Sequence, residues 1–142
     1  MQPKILIATH GKMASGLQSS LEILTHQGSA CQIIDAYVTS ADYTDQITDF
    51  INSVSSDEQG FIFTDLYGGS VNQKVTSQLL SHHCTNIFLI TNINLAVIMS
   101  IILTKQRWTL SQVQELVHHL DCQVRVVDFK QMQSDLNVDD FF

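Results

Sequence analysis

The chain alternates between short apolar runs and longer stretches in which apolar residues recur every three or four positions. Ile5, Leu6, Ile7 and Ala8 form a run without polar alternation, the pattern of a strand covered on both faces in a parallel sheet. Met13, Leu17, Leu21 and Leu24 follow at spacings of four, four and three, with Gln18, Ser19, Ser20 and Glu22 between them. This predicts an amphipathic helix ending near Gly28. Residues 31–37 predict a second strand, and Thr39 to Asp42 resembles a capping-box start for a helix with an inner face of Tyr43, Ile47, Phe50, Ile51 and Val54. After a turn at Ser55 to Gly60, Phe61-Ile62-Phe63 predicts the third strand and Val71, Val75 and Leu79 the helix beyond it. Ile87 to Thr91 predicts the fourth strand, followed by a strongly apolar helix to about Leu103. Thr109 to Gln112 fits a capping box ahead of a stripe of Leu110, Val113, Leu116, Val117 and Leu120. The last strand candidate is 123–129, Gln-Val-Arg-Val-Val-Asp-Phe.

Strands alternating with helices predict an α/β fold, a doubly wound and mainly parallel sheet. Right-handed crossovers in the flavodoxin-like order 2-1-3-4 make strands 1 and 3 neighbours, with the topological switch between them. Ligands of such sheets sit outside the carboxyl ends of the strands at that switch. His10 ends the first strand and Asp65 follows the third, so the two converge on one crevice. Gly11 lets the backbone turn sharply after His10. Thr64-Asp65-Leu66-Tyr67-Gly68-Gly69-Ser70 runs from strand through a glycine-rich loop into a helix, a geometry that aims backbone N–H groups at an anion.

At 142 residues the chain has the size of one ordinary domain, expected over 1–142, and can bury a core without disulfides or metal. Apolar residues make up 44% and charged ones 15%, which leaves room for a subunit interface. The net charge of -7, with seven Lys and Arg, disfavours nucleic acid and anionic membranes and favours a basic protein partner. Cys31, Cys84 and Cys122 are odd in number, widely spaced and set in apolar sequence, as expected of reduced cytosolic thiols. Met1 to Lys4 leads into a run too short for a signal core, and 93–103 is too short to span a bilayer. A soluble, cytoplasmic protein is the expectation.

A histidine beside a carboxylate and a cradle of donors suits transfer of a phosphoryl group through a phosphohistidine. Neutral imidazole is the nucleophile, and a carboxylate such as Asp65, accepting from one ring N–H, fixes the tautomer and aims the other nitrogen outward. That carboxylate also favours imidazolium, a cost as well as a use. Ser70 and the amides of Gly68, Gly69 and Ser70 are placed to receive the transferred oxygens, with Gly11 beside the histidine. The plainer readings are that Gly68-Gly69 is a tight turn, Asp65 a loop carboxylate and His10 a solvated histidine. His82-His83 and His118-His119 do not make a metal site, because successive helical residues do not share a face and no ligand lies at i+4. Lys12 and Lys74 either touch phosphate or are solvated, and the loop lacks P-loop spacing.

Ile-Ala-Thr-His-Gly at 7–11, Phe-Thr-Asp-Leu-Tyr-Gly-Gly-Ser at 63–70 with Asn72 beyond, and Asn94-Leu95 after the fourth strand carry a resemblance to a known family. The chain resembles the enzyme IIA component of the mannose/fructose/sorbose family of the bacterial sugar phosphotransferase system, in strand and helix order over essentially its whole length. The resemblance implies that His10 takes a phosphoryl group from phospho-HPr and passes it to a histidine of enzyme IIB, which serves the membrane IIC and IID components. It aligns Asp65 with the aspartate that bonds the active histidine and Ser70 with the serine of the phosphoryl pocket. No cofactor is implied. It also implies a homodimer with a carboxyl-terminal strand exchanged between subunits, here about Gln123 to Phe129. Two family prolines are replaced, by Val71 after Gly-Gly-Ser and by Ala96 after Asn94-Leu95. The alternatives are a phosphocarrier serving dihydroxyacetone kinase, an anion-binding regulatory module that is never phosphorylated, and a flavodoxin-like nucleotide binder, for which ribose or base-stacking residues are not found. The transported sugar is not legible, since sugar contacts belong to the membrane components.

Overall fold

A computed structural model describes residues 2–135; the expected domain limits at 1 and 142 lie outside them. Four parallel strands, β1 (Lys4–His10), β2 (Gln32–Ala36), β3 (Gly60–Thr64) and β4 (Ile87–Ile90), form one sheet in the order β2-β1-β3-β4. Helices α1 (Met13–Thr25), α2 (Thr44–Ser53), α3 (Ser70–Ser81), α4 (Leu95–Leu103), α5 (Leu110–His118) and α6 (Phe129–Asp135) complete it, with short 3-10 turns at Gly28–Ala30 and Leu120–Cys122. The expected order 2-1-3-4 is the observed one.

Successive strand residues point to opposite faces, so the apolar run of β1 feeds two cores. Ile5 and Ile7 join Leu21, Phe61, Phe63, Ile98, Ile101, Trp108 and Val113 on one face. Leu6 and Ala8 join Ile34, Ile47, Phe50, Ile62, Val71 and Val75 on the other. Each fully buried Leu, Ile or Phe side chain contributes roughly 1.5–3 kcal/mol, enough to hold the central strands without help from their loops. Phe61 stacks on Phe88, centroids 5.0 Å apart, and meets Trp108 edge-on at 6.3 Å.

Four expectations need correction. In α1 the inward stripe is Ala14, Leu17 and Leu21, whereas Met13 and Leu24 are exposed. α2 starts at Thr44, not in a capping box at Thr39: Asp42 accepts from the Thr44 amide and hydroxyl at 3.0 and 2.7 Å, and the short polar side chain makes a local turn instead. α5 does carry the capping box of Thr109 and Gln112, but it buries Val113 and leaves Leu110 and Leu120 exposed. The fourth correction is residues 123–129, which form no strand: 123–128 are irregular and Phe129 opens α6. Gln123 is extended (φ -94°, ψ 148°), yet Val124 and Val126 are 93% and 96% exposed. A strand exists only in a ladder, and within one described chain this segment has no neighbour to pair with.

Candidate active site

His10 is the last residue of β1, paired across the sheet with Ala36. The chain turns at once, with Gly11 at φ +62° and its amide donating to Ala36 O at 2.8 Å. Thr9 Oγ1 accepts from the Ala14 amide at 2.8 Å and Asp35 Oδ1 from the Ser15 amide at 3.0 Å. These bonds satisfy orphan donors in the first turn of α1 and fix the path away from the histidine.

From the neighbouring strand, Asp65 follows Thr64 at the end of β3. Its Oδ2 accepts from both the His10 amide and ring Nδ1, each at 2.9 Å. Burial of the Asp65 side chain, whose Oδ1 is buried without a partner among the described residues, raises its pKa; the backbone and ring N–H bonds from His10 outweigh this and leave it lowered. Asp65 is therefore a carboxylate, and Nδ1 must be the protonated ring nitrogen. In the neutral imidazole Nε2 then carries the lone pair, with Ser70 Oγ 3.1 Å from it as donor. The imidazole side chain remains 40% exposed, so Nε2 is both oriented and accessible.

Gly69 suits the tight loop, because a Cβ there would sit 3.2 Å from Leu66 O, and it would also touch His10 Cε1 at 3.4 Å. The donors differ from those the loop sequence suggested. The Gly68 amide is taken by Asn72 Oδ1 at 3.1 Å and the Gly69 amide by Leu66 O at 3.0 Å, while Gly11 is tied to β2. What meets Nε2 is the Ser70 hydroxyl, on the first residue of α3, a helix end that leaves its first N–H groups without intrahelical partners. Asn72, 7% exposed, ties the loop to the sheet by donating to Thr64 Oγ1 at 3.2 Å. Val71, in place of the family proline, is fully buried in the core beneath α3; position 71 tolerates either residue because its amide has no intrahelical partner.

Tyr37 joins the site without any sequence signal. It lies just past β2, stacks on His10 with centroids 5.4 Å apart and planes at 28°, and donates to Ser70 Oγ at 2.8 Å. Tyr43, itself buried, lies 3.2 Å behind it, hydroxyl to hydroxyl. Hydrogen bonds with Ser70 and Tyr43 lower the Tyr37 pKa. Lys74 faces away from Nε2: it pairs with Asp42 at 3.2 Å and sits 4.4 Å over the Tyr43 ring. Lys12 precedes α1 on the surface. His82 Nδ1 and His118 Nδ1 each lie 2.7 Å from a carbonyl of their own helix, Gln78 O and Gln114 O.

The EIIA-man family model, described as the PTS system fructose IIA component, matches residues 4–120. The chain belongs to that family. It is thus a phosphotransferase component of the sugar phosphotransferase system by family. Solved structures share the fold of this EIIA-man chain. A Klebsiella pneumoniae protein proposed as a phosphoenolpyruvate-dependent sugar phosphotransferase system permease is 25% identical, with a TM-score of 0.69 over 82% of this chain and 85% of that one. The mannose/sorbose specific IIA subunit from Enterococcus faecalis is 15% identical, with a TM-score of 0.74 over 91% and 97%. The EIIA component from Streptococcus agalactiae is 23% identical, with a TM-score of 0.70 over 92% and 99%. No curated protein sequence matches the chain. No helix among the described residues is long and apolar enough to cross a membrane.

Proposed function

We propose that this EIIA-man chain is a cytoplasmic phosphocarrier that accepts a phosphoryl group from phospho-HPr on His10 and passes it to a histidine of enzyme IIB. The observation that carries this reading is the arrangement of one imidazole between Asp65 at Nδ1 and the start of α3 at Nε2. The Nε2 lone pair attacks phosphorus, the donor's N–P bond breaks, and its electron pair returns to the HPr nitrogen. Positive charge builds on the His10 ring as the bond forms, and the Asp65 carboxylate stabilises it without taking the proton. Ser70 and the first turn of α3 receive the phosphoryl oxygens, and the positive φ of Gly11 and Gly68 lets the two loops turn beside the site. The same steps in reverse, with IIB as acceptor, discharge the protein.

Exposed apolar residues around the site, Met13, Tyr37, Val38, Leu66 and Tyr67, suit docking of protein partners rather than a buried small substrate. The acidic balance of the chain suits a basic donor. A homodimer is part of the proposal, with residues 123–129 pairing with a second copy; the exposure of Val124, Val126, Val127 and Phe129 supports it. Incubation with phosphoenolpyruvate, enzyme I and HPr should add one acid-labile phosphoryl mass per chain, mapped to His10. A chain that stays unlabelled under these conditions is an anion-binding regulatory module instead.

A further inference from the structure

We infer that Tyr37 is a positioning residue for phosphoryl transfer at His10, its ring stacked on the imidazole and its hydroxyl holding Ser70 against Nε2. The inference rests on the phosphocarrier reading and extends it to a residue outside the motifs that carry the family resemblance. The hydroxyls here have a direction. Asp65 accepts a hydrogen bond from Nδ1–H, so in the neutral ring Nε2 presents a lone pair and Ser70 donates to it. With its single proton committed, the Ser70 oxygen accepts from Tyr37 at 2.8 Å, and the Tyr37 oxygen in turn accepts from Tyr43 at 3.2 Å. Tyr43 is buried in the core on the α2–α3 face of the sheet, with Lys74 over its ring. The row of hydroxyls is therefore anchored in packed structure at one end and meets the nucleophile at the other.

The backbone of Tyr37 is a second, independent observation. At φ +68° it occupies the left-handed region, which is unfavourable for a bulky residue and persists only where surrounding contacts enforce it. Tyr37 is 57% exposed, so burial does little to offset the strain. Its contacts with His10, Ser70 and Tyr43 are what hold it there.

During transfer the Nε2 lone pair becomes the N–P bond, and the donor's bond to phosphorus breaks with its electrons leaving on the donor nitrogen. Ser70 must then turn its proton from the lone pair to an incoming phosphoryl oxygen. Tyr37 keeps the Ser70 oxygen in place while that proton swings, and no proton changes owner among the hydroxyls. An unheld serine would sample other rotamers and meet the phosphoryl group less often.

Tyr37→Phe removes the hydroxyl while keeping ring and backbone, and Tyr37→Leu removes the stacking as well. The full chain is labelled with phosphoramidate, a small donor whose N–P bond breaks with loss of ammonia, so that no docking surface is needed. Tyr37→Phe should slow labelling about 2- to 12-fold, the range for losing one neutral hydrogen bond, and Tyr37→Leu should slow it further. In a Ser70→Ala background Tyr37→Phe should have no effect, because its hydroxyl acts through Ser70. Nitrogen-15 shifts of the unphosphorylated ring should move from a single Nδ1–H tautomer in the parent toward a mixture in Tyr37→Phe. Thermal melts confirm that each variant is folded. Parent rates and unchanged ring shifts in Tyr37→Phe overturn the inference, as does equal slowing with and without Ser70. Labelling by phosphoramidate but not by phospho-HPr overturns the phosphocarrier reading alone. If neither donor labels the parent, the ring shifts decide the role of Tyr37.

Discussion

Ile5 to Ala8 and Val124 to Val127 are both short runs rich in β-branched or aliphatic residues, and they meet opposite fates. The first lies between two strands, is buried on both faces, and delivers His10 to a site in which both ring nitrogens are engaged. The second is in no ladder and is among the most exposed apolar sequence in the described chain. Strand propensity is the same kind of signal in each. What differs is whether the chain supplies neighbours, since a strand is stabilised by cross-strand pairs and covering helices rather than by its own residues. The contacts of His10 all come from its own chain, whereas the carboxyl-terminal segment finds no pairing strand there.

If the site is self-contained, its failures should be local. His10→Ala has the largest expected effect, complete loss of the acid-labile label from phospho-HPr in a chain that still folds, its melt lowered only by the lost ring bond to Asp65, because the ring is 40% exposed and no core packing depends on it. Peptide mapping checks this, and equal labelling of the variant would move the phosphoryl group to another histidine.

Asp65→Asn comes next. Asn keeps an acceptor oxygen but loses the charge, and loss of a charge-assisted hydrogen bond costs about 1.5–3 kcal/mol. If all of it is felt in the transition state, transfer from phospho-HPr slows roughly 10- to 150-fold, read by rapid quench. The same carboxylate gives an acid signature. Its folded pKa is lowered, so its contribution to stability is present above the unfolded value of about 3.9 and is lost as pH falls through the folded value. The stability gap between parent and Asp65→Asn should therefore narrow as pH drops below about 4, measured by denaturant melts across that range. A folded Asp65→Asn protein transferring at the parent rate would reduce Asp65 to a loop carboxylate.

Much of this site is legible in sequence for a physical reason. A run such as Ile5 to Ala8 admits few structures, and the carboxyl ends of β1 and β3 are forced together by right-handed parallel winding, which carries His10 and Asp65 with them. Gly68-Gly69-Ser70 announces a tight loop ahead of a helix, although the Gly68 and Gly69 amides prove to be spent inside the loop and it is the Ser70 hydroxyl that meets Nε2. Tyr37 leaves no trace, because an exposed aromatic after a strand has no period and its strained backbone is set by contacts from elsewhere in the chain. The stripe of α1 keeps Leu17 and Leu21 and differs at its start for a related reason: Ala14, not Met13, is buried where the helix begins. Residues 123–129 read as a strand because composition cannot say whether a partner is at hand.

The smallest change in the folded chain is expected at Val126, and it is the one that most directly probes the unpaired segment. Val126→Asp places a charge on a side chain that is 96% exposed. Surface substitutions of this kind alter stability by no more than about 0.5 kcal/mol, so the melt of the dilute protein and its labelling by phosphoramidate should match the parent. In a dimer built by pairing residues 123–129, the same carboxylate would be desolvated in an interface, and an unpaired buried charge is costly. Sedimentation at rising concentration should therefore show the parent associating and Val126→Asp remaining monomeric over the same range. A parent that stays monomeric at tens of micromolar, roughly the range set by a modest interface, would leave 123–128 as an exposed arm and remove strand exchange from the proposal. Equal association of both proteins would place the dimer contact on another face.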